Sequence, residues 1–173
     1  MTHSQHHKPK HCLRQLTEQE SLVIHADFDP DEMGCLLVIR KFCQSFAPQT
    51  TDAWTHGFFT AESIWGEVNG PMIAHRLMHV LQAMRASRLS VFSFSTPDCP
   101  VCSQVLTEHE RRLITAIRFV RQGRPEQAAL QLLLLCEGNP TEVVMERLQD
   151  LSTAFTFARE LACPGDLAQA AYQ

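Results

Sequence analysis

The 173-residue chain predicts an all-α protein, a single-domain bundle of about six helices with room for one short strand near 89–95. Three observations carry that expectation. Four places pair a capping residue with an acid three positions later: Thr17 with Glu20, Asp29 with Glu32, Thr107 with Glu110 and Asn139 with Glu142. In such a box the cap side chain and the Glu satisfy exposed backbone N–H groups reciprocally. Pro30 and Pro140 follow two of these caps, where a missing N–H costs nothing, and Gly123 and Gly138 stand where helices should stop. Near the C-terminus, Val144, Leu148, Leu151, Phe155, Ala158 and Ala162 recur at steps of three or four as one apolar stripe.

Residues 1–11 come first, with His3, His6, His7 and His11 among polar neighbours and Pro9. They read as a flexible arm ahead of one domain over 12–173. The signals then predict helices over 18–25 and 30–46. Between 47 and 71, Pro, Gly and aromatic residues follow no clear period, which predicts a long loop with at most one helical turn. Ile73, Leu77, Leu81 and Met84 set the face of a helix over 71–87.

The run Leu89-Ser-Val-Phe-Ser-Phe-Ser95 is rich in β-favouring residues. A lone strand cannot satisfy its backbone, so it calls for a partner around 54–59 or in a second copy, which would make a homodimer. Helices over 107–122, 125–137 and 140–162 complete the chain. Leu130 and Leu132–Leu135 are apolar nearly all round, placing the 125–137 helix at the centre.

Composition narrows the function. Hydrophobic content of 45% against 20% charged residues is that of a folded protein, and a net charge of −4 gives no general affinity for nucleic-acid phosphate. The longest apolar run, Ala128 to Cys136, is interrupted by Gln131 and falls far short of a membrane span. With no apolar core behind Met1, the expectation is a cytoplasmic protein without a membrane role. In that reducing setting seven cysteines do not form a disulfide framework.

Cys99-Pro-Val-Cys102 is the chemical centre of the sequence. A two-residue gap lets both sulfurs face one point, as tetrahedral zinc–thiolate coordination at ~2.3 Å requires. The leading partners are His75 and His79, four apart on one helical face. Cys12 with His11, His109 and Cys136 are the other donors, and Cys12, Cys99, Cys102 and Cys136 could in principle make an iron–sulfur set, though no compact spacing supports it. Cys35, Cys43 and Cys163 read as helix-packing residues.

A second motif touches Cys12. Cys12-Leu-Arg-Gln-Leu-Thr-Glu-Gln-Glu20 and Cys102-Ser-Gln-Val-Leu-Thr-Glu-His-Glu110 match at the cysteine, a Leu, the Thr and both Glu. Convergence of two helix starts accounts for so short a match better than duplication does.

The rival chemistry is redox. A Cys-x-x-Cys after a strand and before a helix resembles the thioredoxin arrangement, in which a helix N-terminus stabilises the thiolate. That resemblance is local, because the expected series of strands is missing and Cys102 lies well before the Thr107 cap.

Two further clusters yield to simpler accounts. Alternating Asp27, Asp29 and Asp31 suggest a calcium loop, but Glu32 replaces the loop glycine and Val38 the last glutamate. Arg111, Arg118 and Arg121 fall near one helical face that could meet phosphate or an acidic partner. Nearby Glu108 and Glu110, and the later Glu142, Glu146 and Asp150, favour a solvated face instead.

No phosphate-binding loop, dinucleotide fingerprint, nucleophile elbow or zinc-protease motif occurs. The sequence therefore predicts a small metal-binding, regulatory or protein-interaction protein with one structural zinc at Cys99, Cys102, His75 and His79. The alternative is a thiol–disulfide oxidoreductase or a metal-dependent enzyme built on the same cysteine pair.

Overall fold

The computed structural model describes residues 12, 14–46 and 52–162. The expected 1–11 arm, His11 and Cys163 lie outside these residues. The described chain is mainly α-helical. Its helices are α1 (Pro30–Ser45), α2 (Ala53–Ser87), α3 (Glu108–Arg121), α4 (Pro125–Leu135) and α5 (Glu142–Ala162). Two-residue strands β1 (Ser21–Leu22) and β2 (Val105–Leu106) pair antiparallel, and single 3₁₀ turns cover Val23–His25 and Cys102–Gln104.

Two capping boxes form as expected. Asp29 accepts from the Glu32 N–H at 2.8 Å while the Glu32 carboxylate accepts from the Asp29 N–H at 3.0 Å. Thr107 and Glu110 do the same at the head of α3. After α3, Gly123 takes φ +69°, and the N–H groups of Gly123 and Arg124 return to the carbonyls of Val120 and Phe119. That left-handed step is what glycine tolerates and other residues resist.

The apolar stripes meet in one core. Leu36, Ile39 and Phe42 of α1, Ile73, Leu77, Leu81 and Met84 of α2, Leu113, Ile114 and Ile117 of α3, and Leu148, Leu151 and Phe155 of α5 are all buried. Cys35, Cys43 and Cys136 are buried with them.

Five expectations differ from the structure. Residues 18–25 are not a helix. The Glu20 carboxylate accepts the Thr17 N–H at 3.1 Å, yet this closes only a turn before β1. Asp27, at φ +49°, redirects the chain into α1 before a helix could repay its nucleation cost.

The loop expected over 47–71 is instead helical from Ala53, as the first half of α2. That helix kinks where Gly66 leaves helical geometry at φ +81°, ahead of Pro71. A Cβ on Gly70 would lie 2.6 Å from the Glu62 backbone, so the two halves approach too closely there for any side chain. The kink hides the apolar period from a sequence reading.

No strand forms over 89–95; the sheet uses 21–22 and 105–106. Helix α4 is peripheral, burying Ala128, Leu132 and Leu135 but leaving Leu130, Leu133 and Leu134 about half exposed. Finally, α5 starts at Glu142, because the Met145 N–H bonds the Thr141 carbonyl at 2.9 Å. Asn139 turns back, donating from Nδ2 to the Cys136 carbonyl at 2.8 Å.

One polar pair crosses the core. Arg40, in α1, donates to both carboxylate oxygens of Glu110 in α3 at 2.7 and 3.0 Å, with side-chain exposures of 1% and 0%. Two further donors hold the carbonyls of Ser103 and Val105, each at 2.6 Å. Glu110 also accepts the N–H groups of Ser95 and Thr107.

Segment 88–95 is fastened by side chains. Arg88 reaches the Leu135 carbonyl and pairs with Glu137, whose carboxylate takes the Leu89 N–H at 3.1 Å. Thr107 donates to the Ser93 carbonyl, and the Ser93 N–H donates to His109 Nδ1, both at 2.9 Å. That last bond needs an unprotonated Nδ1. Burial, and then the Arg88 charge, lower the His109 pKa.

Two outcomes follow from these contacts. Glu110→Ala should lower the free energy of urea unfolding by about 3–5 kcal/mol, the cost of stranding a buried charge, and Arg40→Met with Glu110→Leu should recover part of it. His109 is held neutral in the fold, so its contribution is complete above its unfolded pKa of about 6.5 and declines as pH falls toward the lowered folded value. Unfolding free energies between pH 7 and 5 should therefore slope less in His109→Gln than in the wild type.

Candidate metal centre

Cys12, Cys99 and Cys102 come together, their sulfurs all within 4.8 Å of one another and half-buried. The nearest pair, Cys12 and Cys102, is 3.3 Å apart. A disulfide needs ~2.05 Å. Sulfurs sharing a tetrahedral zinc at ~2.3 Å stand roughly 3.8 Å apart. The three thiols are therefore free, and their spacing is close to what a shared cation requires.

The local chain explains this convergence. Pro100 follows Cys99 in a tight turn in which the Ser103 N–H bonds the Cys99 carbonyl at 2.8 Å and the Gln104 N–H bonds the Val101 carbonyl at 3.3 Å. The turn points the Cys102 N–H at Cys99 Sγ, 3.4 Å away. An amide aimed at sulfur stabilises a thiolate. Accordingly the Cys99 thiol is pulled down to about 7, chiefly by the Cys102 amide and then by the Cys102 thiol. Cys102 itself is pushed up, first by Cys12 and then by Cys99.

Both ends of the turn are anchored to α1. Arg40 holds the Ser103 carbonyl, while Lys41 and Gln44 bind the Asp98 carboxylate at 2.6 and 2.7 Å. Cys12 arrives from the other side, on the segment leading to β1. Arg14, two residues later, pairs with Glu20, donates to Ser95 Oγ at 3.3 Å and lies near the Cys102 sulfur.

The histidines expected as ligands are elsewhere. His75 and His79 stack along α2 with ring centroids 4.2 Å apart, beside Asp150 and Arg147 of α5. Neither belongs to the cysteine group. His109 is engaged with Ser93 and lies against the Phe92 ring, and Cys136 is buried near Ser87. Thus Cys12, a secondary candidate from sequence, replaces them, and no four-cysteine set forms among the described residues. The matching Cys12 and Cys102 segments were the signal for it. Their Thr–Glu pairs close alike, but only the second opens a helix.

The other clusters are internally occupied. Arg118 binds Glu32 and the Asp27 carbonyl, and Arg121 binds Asp29 and Asp31. Asp31 also receives Arg159 and the Trp65 Nε1–H. The alternating aspartates thus serve the arginines, and of the three arginines expected on one face only Arg111 is left exposed.

Alkylation should separate the cysteines. With metal removed, Cys99 should react with iodoacetamide along a pH profile centred near 7. Cys35 and Cys43, pushed by burial far above the usual thiol range, the latter to about 12, should react only after unfolding. Mass mapping of the labelled peptides checks both.

No helix among the described residues is long and apolar enough to cross a membrane. No protein-family model, curated protein or solved structure matches the chain, so the reading of the cysteine cluster rests on its own geometry.

Proposed function

We propose that the protein is a small intracellular regulatory or interaction protein held by a structural zinc on Cys12, Cys99 and Cys102. One observation carries the reading: three free sulfurs from two distant parts of the chain lie within 4.8 Å of one another, one of them accepting a backbone amide. Thiolates of this kind favour zinc among the divalent cations common in a reducing cytoplasm. The cation would tie the segment before β1 to the turn before β2, a join for which the two-residue strands alone offer little. The fourth position remains for a ligand outside these three residues.

Metal analysis of the untagged chain tests this. About one zinc per chain is expected, with mainly sulfur ligands by X-ray absorption, and both Cys12→Ser and Cys99→Ser should reduce the metal content. Retention far below one metal per chain, unchanged by either substitution, would overturn the reading.

The 3.3 Å approach of Cys12 to Cys102 favours a second reading, a dithiol switch. Two thiols would give up two electrons and two protons to hydrogen peroxide, forming one disulfide and two waters. A metal-free protein with a reversible Cys12–Cys102 bridge would support this reading over the first.

A further inference from the structure

Beside the segment 88–95 lies a half-open cavity of about 470 Å³, remote in character from the cysteine centre. Its walls are Cys43 of α1 and Phe46 just after it, Leu81, Met84 and Arg85 from α2, and the side chains of Phe92 and Phe94. The lining suits apolar groups, and the volume exceeds that of any single side chain.

The backbone that borders it is half satisfied. Ser93 and Ser95 turn their amides toward α3, where His109, Thr107 and Glu110 bind them. In an extended chain, successive residues point their N–H and C=O groups to opposite edges. Phe92 and Phe94 therefore face the other way, and their main-chain groups have no hydrogen-bond partner among the described residues. The same stretch shows the β-favouring composition of a strand and leaves Leu89 and Val91 each 88% exposed.

Charge supplies a third feature. Arg85 lies over the Phe46 ring at 3.9 Å and has no acidic partner among the described residues, whereas its neighbour Arg88 is neutralised by Glu137 at 3.1 Å.

We propose that the open edge of residues 91–95 and the cavity beside it dock an extended peptide segment of another protein, one that carries a large apolar side chain and a neighbouring carboxylate. The peptide adds as a strand, pairing its main chain with Phe92 and Phe94. Its apolar side chain enters the cavity and its carboxylate meets Arg85. A small apolar acid would use the cavity and Arg85 but leave both amides unpaired. A second copy would pair the edge, but it would bring only its own Phe92 and Phe94, which already form walls of its own cavity.

Panning a displayed library of random dodecapeptides against the purified full chain tests this. Enriched peptides should share an apolar residue next to an acid. Synthetic versions should bind in fluorescence anisotropy and weaken about fivefold to tenfold against Arg85→Glu. N-methylation of alternate peptide amides should abolish binding. Arg85 is exposed and without an ion-pair partner among the described residues, so the variant should keep the wild-type circular dichroism. No enrichment over a blank surface, or peptides that bind Arg85→Glu and tolerate N-methylation, would overturn the proposal. So would sedimentation showing a dimer that Val91→Lys dissociates, because a second copy would then own the edge.

Discussion

The buried Arg40–Glu110 pair is the constraint from which much of the rest follows. A guanidinium and a carboxylate this well hidden are tolerated only when every donor and acceptor is used. Here Arg40 takes Glu110 and two carbonyls, and Glu110 takes two further amides. Those partners are Ser95, Ser103, Val105 and Thr107, which bracket the Cys99–Cys102 turn on both sides. The demand for hydrogen-bond satisfaction inside the core thus positions the cysteine turn at the surface. The same glutamate caps α3, so helix start, core pair and candidate metal centre share one carboxylate.

A small number of groups also decides the segment after α2. Its composition favours a strand, but the first amides on one edge meet Glu137, and those further on meet the head of α3. Side-chain acceptors stand where a partner strand would be. Glu137 can serve because it occupies the left-handed position that ends α4, at φ +61°, and points back across the chain. One edge is thereby closed, while among the described residues the other has no partner and lies next to an apolar cavity and an arginine without an acidic partner.

Much of the fold was legible wherever a local rule was sufficient. The boxes at Asp29 and Thr107 and the stripe from Val144 to Ala158 need only neighbours within a turn or two. The first half of α2 was not legible, because Gly57, Gly66, Gly70 and Pro71 read as punctuation. In the fold Gly66 and Pro71 mark a kink, and Gly70 permits two helical halves to touch. The all-apolar look of α4 likewise could not say which side would be covered. Half of the candidate site was visible, since Cys99 and Cys102 are neighbours in the chain. Cys12 stood only among the secondary donors, with its echo of Cys102 as the added hint.

By itself, then, the sequence determined the mainly helical class, the start of α1 and α3, and the cysteine pair as the chemical centre. These depend on backbone hydrogen bonding and spacing within a few residues. Tertiary structure alone decided that Cys12 rather than His75 and His79 joins the pair. It also decided that Arg118 and Arg121 bind the acids around α1 instead of facing solvent. Such pairings span about ninety residues of chain. They are set by how apolar faces pack and by where buried charges find partners, and neither leaves a periodic trace in the sequence.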